Sequence, residues 1–586
     1  MAASKTTAAE QLITENLDVW SSAIKKRGSQ GRGSNKKIIL YGVKKLRELI
    51  LELAVRGLLV PQDSNDEPAS VLLEKIAVEK EQLIKSGKLK KQKPMPPIGD
   101  DEKIFELPKG WEWERFGNIY ELEYGDSLPK AKRSNTGEYP VYGSNGVVGT
   151  HSEYCISKPC VVVGRKGSAG ALNLNKGEGC WVTDVAYSIV PPKSLLLTYV
   201  FLKLHTLNLD ALGKGIKPGL NRNEAYQLCL ALPPEAEQPR IVAKVDELMA
   251  LCDQLEQQQE NSLSAHQTLV ATLLAALTSD NGNITHKADA NTATSFFESA
   301  WARIEQHFDT LFTTEASIEQ LKQTILQLAV MGKLVPQDPN DEPASVLLEK
   351  IATEKEQLIK DKKIKKQKLL PQISDDEKPF ELPCGWEWCN LQSLITIMDA
   401  GWSPACPPEP SPSNDIWGVL KTTAVQSMEY REYENKVLAA NKEPRPQYEV
   451  KVGDILITRA GPKNRVGVSC LVQATRPKLM ISDKVIRFHL VEMGMCERYL
   501  SLCLNAGATA DYLDSTKSGM AESQMNISQD KLKAAPVPLP PAKEQFKIVK
   551  RVDELIALCD TLKTCISKSQ STQLHLADAM AEQALN

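Results

Sequence analysis

The chain of 586 residues is too long for one hydrophobic core, and its length predicts two to four domains. Its net charge of −3 excludes a protein that is basic over its whole surface, so a nucleic acid would have to bind to local positive patches. The 13 cysteines form no CxxC pair and no Cys/His spacing typical of zinc ligands, which argues against a zinc site and against a disulfide framework.

The N-terminal residues, 1–36, are predicted to be a flexible segment. Their start, MAASKTTAAEQ, lacks the apolar core of a signal peptide, and no apolar run in the chain approaches the length of a membrane span. We therefore expect a cytoplasmic protein. Residues 37–103 form the first predicted helical region, because apolar residues there recur at alternating intervals of four and three, as on a helix that packs against a partner helix. These apolar residues are Ile39, Val43, Leu46, Ile50 and Leu53.

Strand-rich and helical segments alternate along the rest of the chain. Short β-branched and aromatic runs, broken by glycine and proline, predict two mixed, strand-rich domains at residues 104–235 and 379–540. The helical spacing returns in a central spacer, 236–378, and in a C-terminal helix, 541–586. The fold class is therefore α+β, with two strand-rich domains separated by long antiparallel coiled-coil helices. The polar run TSDNGNITHKADANTATS, at 278–295, is predicted to be the break between the two halves.

One module occurs twice in the chain. Residues 53–113 align without a gap on residues 328–388, and both segments end in FELPxGWEW. A second matching pair, LPPEAEQPRIVAKVDEL and LPPAKEQFKIVKRVDEL, begins at Leu232 and Leu539. The stretches between the matching segments share no similarity that can be aligned by eye. The repeat thus predicts two copies related by an approximate two-fold axis, with like supports that carry unlike inserts.

These doubled phrases resemble the DNA-specificity subunit of type I restriction–modification enzymes, and the resemblance covers nearly the whole chain from about Tyr41 onward. It implies a non-catalytic protein whose inserts are target-recognition domains, each for half of a split site in double-stranded DNA. It also implies a helical spacer that docks two methyltransferase subunits, with restriction subunits in the full complex. Because the inserts differ, the DNA site is expected to be asymmetric. The helical spacer is expected to set the gap between the two half-sites, at about one turn of DNA, roughly 35 Å.

The resemblance implies no cofactor in this chain, and it places S-adenosylmethionine, ATP and Mg in the partner subunits. The residues agree, because the sequence has neither an Asn/Asp-Pro-Pro-aromatic motif of an adenine methyltransferase nor a GxxxxGK[ST] phosphate loop. Two alternatives stay open. One is a self-contained DNA-modifying enzyme with unfamiliar motifs, and the other is a coiled-coil scaffold that presents two interaction domains.

Candidate DNA-contacting residues lie in glycine-rich turns of both inserts. There the backbone can approach a phosphate, and an arginine can fork onto O6 and N7 of guanine. Each candidate also has an interpretation without DNA contact. The lysine and arginine side chains can simply be solvated, and VYGSNG is typical of a hairpin turn. The candidates in the first insert are Tyr142, Asn145, Arg165, Lys166, Lys214, Lys217 and Arg222. Those in the second are Arg459, Lys463, Arg465, Lys517 and Gln524.

Two tryptophan pairs stand at the entrance to the inserts, Trp111 with Trp113 and Trp386 with Trp388. Their ring size suits anchoring in a core rather than stacking on a base. We predict that they pack the seam where the helical support meets the strand-rich domain.

Overall fold

The computed structural model divides the chain into two units, each with its own hydrophobic core. Unit 1 comprises Met1–Leu263 and Lys568–Asn586, and unit 2 comprises Ser264–Ser567. The residues that the structure describes are 7–26, 38–134, 136–214, 219–278, 299–368, 370–371, 373–374 and 378–585. Among the helices in these ranges, none has the length and apolar character that a membrane crossing requires.

Unit 1 pairs the helical support of the first module copy with its strand-rich domain. The helices are α1 (Ala8–Thr14), α2 (Leu17–Ser22), α3 (Tyr41–Arg56), α4 (Ala69–Lys85), α5 (Phe116–Ile119), α6 (Leu197–His205), α7 (Arg222–Tyr226) and the first part of α8 (Gln238–Thr278). The apolar face predicted for α3 is buried in the core. Arg47, early in α3, contacts Asp253, whereas Gln62, beyond its end, contacts Glu237, which precedes α8. The two helices therefore run antiparallel.

The prediction of a flexible segment over residues 1–36 is wrong for residues 7–26. There, α1 and α2 pack on α3, with Ile13 and Trp20 fully buried. The backbone of Trp20 approaches α3 at Gly42, where a Cβ atom would lie only 2.1 Å from the Trp20 carbonyl oxygen. Burial of these large apolar side chains offsets the entropy lost on ordering the segment. The rest of the prediction falls on 1–6 and 27–36, outside the described residues.

Strands β1 (Lys25–Lys26) and β2 (Ile38–Ile39) of unit 1 pair with each other before α3. The other strands of unit 1 form the first strand-rich domain. They are β3 (Glu112–Arg115), β4 (Glu123–Tyr124), β5 (Tyr139–Gly143), β6 (Gly146–His151), β7 (Cys160–Gly164), β8 (Leu172–Asn175), β9 (Trp181–Val182), β10 (Ala186–Ile189), β11 (Gly213–Lys214), β12 (Gly219–Leu220) and β13 (Cys229–Leu232). An antiparallel sheet has the order β4-β10-β7-β8, and a second sheet has the order β6-β5-β9. The β3–β13 pair closes the domain where it joins the helices.

Unit 2 repeats this plan. Its further helices are α9 (Phe308–Leu311), α10 (Glu315–Val330), α11 (Ala344–Lys360), α12 (Leu391–Leu394), α13 (Glu497–Cys503), α14 (Gly507–Ser515), α15 (Gln529–Lys533) and α16 (Ala542–Leu585), whose last part belongs to unit 1. In α10, Glu319 and Lys322 contact Lys563 and Asp560 of α16, so this pair is also antiparallel. The predicted break between the copies lies outside the described residues except for Thr278, which ends α8.

The strands of unit 2 form the second strand-rich domain. They are β14 (Glu387–Asn390), β15 (Ile395–Ala400), β16 (Gly418–Leu420), β17 (Val425–Gln426), β18 (Glu429–Tyr430), β19 (Asn435–Val437), β20 (Ile455–Thr458), β21 (Ala460–Gly461), β22 (Ser469–Leu471), β23 (Leu479–Met480), β24 (Val485–Leu490), β25 (Met525–Asn526) and β26 (Pro536–Leu539). An antiparallel sheet has the order β15-β24-β20-β22, a second sheet has the order β19-β16-β23, and β14 pairs with β26.

The two inserts share one topology although their sequences do not align. In chain order, β4, β7, β8 and β10 of the first correspond to β15, β20, β22 and β24 of the second, and the sheet order is the same. The second sheets match as well, because β5 and β16 each pair with one neighbour antiparallel and with the other parallel. The predicted α+β class with two strand-rich domains and an internal repeat is confirmed.

Candidate nucleic-acid interface

Three loops of unit 1 meet beyond the end of β7. The first is the β5–β6 turn, the second is the turn that begins with Arg165, and the third is described from Gly219, the first residue of β12, onward. The turns approach closely at Gly164, where a Cβ atom would lie 2.3 Å from the carbonyl oxygen of Ser144. The third loop is tied to the second because the Leu220 amide donates to the Arg165 carbonyl at 2.8 Å, and Lys166 forms a β-bridge with Gly219. Residues from distant parts of the insert thus share one edge.

Tyr124 organises the basic side chains at this edge. The guanidinium carbons of Arg165 and Arg222 each lie 5.0 Å from the centroid of the Tyr124 ring, and Tyr124 as a residue is 52 % exposed. Arg165 also lies over the Tyr187 ring, and its Nε donates to the Asp184 carbonyl at 3.1 Å. Cation–π attraction to an exposed ring holds both guanidinium groups without removing them from water. The arrangement concentrates positive charge in a chain whose net charge is negative.

The other candidates of the first insert divide by exposure. Lys166 is exposed in the turn after β7, and Asn145 is exposed in the β5–β6 hairpin turn. Tyr142 is only 8 % exposed and packs in a small core, where burial raises its pKa, so it offers little surface to DNA. Lys214 ends β11, and Lys217 lies outside the described residues.

Arg459 occupies the position in unit 2 that Arg165 occupies in unit 1. Each arginine follows the corresponding strand, β20 or β7, and its amide donates across to the neighbouring chain, Arg459 to Lys484 at 2.8 Å and Arg165 to Val185 at 2.9 Å. The Arg459 carbonyl accepts from Ile527 at 2.9 Å, as the Arg165 carbonyl accepts from its partner in β12. The two arginines therefore have the same backbone framework.

The neighbours of these two arginines differ. Tyr124 pairs with Tyr187 in the first sheet, and at the corresponding place in the second sheet Ala400 pairs with Ile486. The helix that follows begins with Arg222 in unit 1, whereas its counterpart α15 begins at residue 529 with a glutamine. The arginine is therefore common to both domains, but the ring and the second guanidinium belong to unit 1.

Two predicted residues of unit 2 face inward. Both terminal nitrogens of the Arg465 guanidinium donate hydrogen bonds, Nη2 to the carbonyls of Thr422 at 2.9 Å and Val425 at 2.8 Å, and Nη1 to a glutamine side chain at 2.8 Å. The Lys517 side chain is 8 % exposed and donates to the Lys463 carbonyl at 2.9 Å. These contacts fasten loops and engage donors that a DNA contact would need. The assignment of Arg465 and Lys517 as DNA contacts stays a prediction.

The remaining candidates of unit 2 are exposed. Lys463 lies 3.7 Å from Glu522, an exposed pair that solvent weakens, and Gln524 is exposed in the same loop. No pattern in the sequence selects Tyr124, which stands between Glu123 and Gly125. The sequence prediction also missed Trp402, whose ring lies 4.1 Å from the guanidinium carbon of Arg445. An isolated Trp beside Gly401, outside any apolar periodicity, was the available signal.

Comparison with known proteins agrees with this architecture. The family model "Type I restriction modification DNA specificity domain" matches residues 108–265 and 421–569. The chain is 54 % identical to the type I restriction enzyme EcoEI specificity subunit of Escherichia coli, over 99 % of this chain and 100 % of that protein. It is 39 % identical to the EcoAI specificity subunit of Escherichia coli, over 98 % of this chain and 100 % of that protein.

A solved structure is also similar. Its subject is complex assembly and conformational transition of the type I restriction–modification system, and it is 18 % identical, with a TM-score of 0.44, over 82 % of this chain and 98 % of that chain. The two specificity domains and the full-length relatives define the class of the protein. The chain belongs to the family of type I restriction enzyme specificity subunits.

Proposed function

We propose that each strand-rich domain reads one half of a split, asymmetric site in double-stranded DNA. The observation that supports this most directly is the arginine at the same framework position in both domains, Arg165 and Arg459, on inserts that otherwise do not align. An arginine fork can bind guanine or a phosphate with two parallel hydrogen bonds. A recognition module that is copied and then diverged keeps such a contact while its neighbours change.

The proposed contact surface of unit 1 contains the Tyr124 ring with its two arginines, together with Lys166 and Asn145. In unit 2 it contains Arg459, Lys463 and Gln524. Contacts to phosphates would fix the register of each domain, and contacts to base edges would read the sequence. Because the two surfaces carry different side chains around the common arginine, the two half-sites differ. The site is therefore asymmetric.

We also propose that catalysis belongs to partner subunits. Two methyltransferase subunits would match the two module copies, and restriction subunits would join them in the full complex. S-adenosylmethionine, ATP and Mg would bind to those partners and not to this chain. An assay of the isolated chain for methyl-donor binding and DNA methylation tests this directly, and activity without partners would favour the enzyme alternative.

Mapping modified adenines tests the reading function. DNA from cells that carry this chain with its methyltransferase partners should be modified at one split, asymmetric sequence. Arg165→Ala should weaken or relax one half-site, and Arg459→Ala should do so at the other. A matched control is Lys158→Ala, an exposed basic residue of the first insert outside the three loops. Absence of a defined modified sequence with the unaltered chain would favour the scaffold alternative.

A further inference from the structure

We infer that Tyr124 and Arg222 determine the sequence that unit 1 reads. This inference rests on the proposed function of the strand-rich domains. It assigns the discriminating role to the two side chains that differ between the units, rather than to the arginine that they share. Neither a repeated phrase nor a glycine-rich turn marks Tyr124 in the sequence.

The guanidinium carbons of Arg165 and Arg222 lie at equal distances of 5.0 Å from the centroid of the Tyr124 ring. The same ring makes an edge contact with Tyr187, whose centroid is 5.1 Å away. The hydroxyl of Tyr187 donates to the Leu220 carbonyl at 3.2 Å, which ties this cluster of side chains to β12. The cluster is therefore fastened at buried Tyr187 and half-exposed at Tyr124. Such preorganisation lowers the entropy that arginine side chains lose when they bind.

Exposure distinguishes Tyr124 from tyrosines of unit 1 that pack in the core. A tyrosine whose role is packing is normally buried, as Tyr199 and Tyr226 are in the same unit. Tyr124 is instead 52 % exposed, and Arg222 is half-buried beside it. The ring thus supports two cations at the surface. Arginine held on an aromatic face can still direct its fork at a base edge or a phosphate.

The two units differ at two positions beside the common arginine. At the place of Tyr124 unit 2 has Ala400, and at the place of Arg222 it has a glutamine. The backbone framework around the common arginine is otherwise the same. A double substitution, Tyr124→Ala with Arg222→Gln, therefore gives unit 1 the side chains of unit 2 at these two places. It leaves Arg165 and its contact with Asp184 in place.

The experiment uses the full chain with its methyltransferase partners and maps the modified adenines for the double variant. We expect the half-site read by unit 1 to relax or change at one or more positions, with discrimination there reduced about tenfold or more, the loss of one good base contact. The half-site read by unit 2 should not change, which also shows that the complex has assembled. Amide exchange in β7 shows that unit 1 is folded.

Two single variants sharpen the test. Tyr124→Phe keeps the ring and should keep the half-site, whereas a loss as large as that of Tyr124→Ala would contradict the role of the ring. Tyr154→Ala removes a tyrosine that is 49 % exposed and packs edge-on against Tyr139, away from the three loops, and should leave the half-site unaltered. It is the matched control.

Three outcomes overturn the inference. One is a double variant that reads the same two half-sites with discrimination within about twofold, which is too small for a lost base contact. Another is a uniform loss of affinity for all DNA sequences with a reduced salt dependence, which would make the pair a phosphate anchor. In both, the unaltered chain still reads a split site, so the proposed function stands. If the unaltered chain reads no defined site, the proposed function fails, and this inference fails with it.

Discussion

The indole Nε1 of Trp111 donates a hydrogen bond to Oε2 of Glu237 at 2.9 Å, although 126 residues separate them. The other carboxylate oxygen accepts from the Gln62 side chain at 2.8 Å. Glu237 has no exposed surface and stands immediately before α8. Three repeated phrases, LVPQ, LPxGWEW and LPPxxEQ, therefore converge on one buried carboxylate at the point where the strand-rich domain joins the helix.

The second copy repeats this junction. Trp386 donates to Glu544 at 3.1 Å, and Gln337 donates to the same carboxylate at 3.3 Å. The prediction that these tryptophans pack the seam between helix and domain is confirmed for Trp111 and Trp386, which are both buried. Trp113 and Trp388 pack beside them against Phe105 and Phe380.

Removal of the indole donor should destabilise unit 1. In Trp111→Phe the buried carboxylate loses a hydrogen bond that water cannot replace, and we expect a loss of about 1–3 kcal/mol in the free energy of unfolding. Urea unfolding followed by far-UV circular dichroism measures it. The matched control is Trp181→Phe, because Trp181 donates to the Asp126 carbonyl at 3.1 Å where water has access. Equal losses in the two variants would contradict a special role of the buried junction.

The junction should also make stability depend on pH. Burial raises the pKa of Glu237 above its usual value of 4.5, against the opposing effect of its hydrogen bonds to Gln62 and Trp111. A raised pKa means that the folded state binds the proton more tightly than the unfolded state. The contribution of Glu237 to the free energy of unfolding is therefore fully present below pH 4.5, and it is lost as the pH rises through the folded-state pKa.

The variant Glu237→Gln isolates this effect, because it cannot titrate at that position. The free energy of unfolding of the unaltered chain, minus that of the variant, should fall as the pH is raised from 4.5. Urea unfolding at several pH values gives the difference, in which contributions from the second copy cancel. A difference that is constant or rises with pH would show that the carboxyl does not have a raised pKa.

The end of α16 should protect the start of α3. The hydroxyl of Tyr41 donates to Asp578 at 2.7 Å, and Ala577, Met580 and Ala581 are buried in the core of unit 1. A chain that ends at residue 567 should therefore exchange the amide hydrogens of α3 at least about tenfold faster, since burial of a methionine side chain such as that of Met580 contributes about 1.5–3 kcal/mol.

Hydrogen exchange measured by mass spectrometry tests this prediction. Strands β20 and β24 of unit 2 serve as the internal reference and should keep their protection. Asp578→Ala, which removes only the contacts of this carboxylate with Tyr41 and Lys45, should have a smaller effect than the truncation. Unchanged exchange in α3 after truncation would contradict the packing.

The helices should set the gap between the half-sites. Residues 238–263 of α8 belong to unit 1 and the rest to unit 2, whereas residues 542–567 of α16 belong to unit 2 and the rest to unit 1. Deletion of seven residues between 255 and 270, and of their counterparts in α16, shortens each helix by about 10 Å while keeping its apolar face in phase.

The modified sequence should then keep both half-sites and lose about three base pairs of the gap, at about 3.4 Å for each pair. Mapping of modified adenines is again the measurement. The matched control keeps the length of both helices and introduces alanine and glutamate only at the exposed positions of the same segments. The gap should then stay the same. Changed half-site bases with an unchanged gap would contradict the division between reading domains and spacer.

Much of this architecture could be predicted from the sequence, because it depends on patterns that are local or repeated. The apolar spacing of α3 and α8 fixes which face each helix buries, whatever its partner. The repeated phrases indicated two copies of one junction between helical support and strand-rich domain. The ring size of Trp111 and Trp386 predicted that both are buried there. The failure at residues 7–26 arose because two short helices carry too little periodicity to be distinguished from a flexible segment.

The contact surface depends on tertiary structure. In the sequence, Arg165, Arg459 and Arg465 look alike, as basic residues in glycine-containing turns. Only the fold shows that the first two take equivalent positions, whereas Arg465 binds carbonyls 40 and 43 residues away in the chain. The partners of a long, flexible cation are chosen by whatever packing brings near it, and no local pattern records that choice.

The sequence by itself determined that the chain is a duplicated module with unlike inserts, since repeated phrases and helical periodicity can be recognised without knowledge of any long-range contact. Only the tertiary structure decided that the unlike inserts have one topology, and that Tyr124 contacts both Arg165 and Arg222. The physical reason is that a strand is stabilised mainly by its neighbours across the sheet. Different sequences can therefore form the same sheet, and the side chains that meet at its edge come from distant parts of the chain.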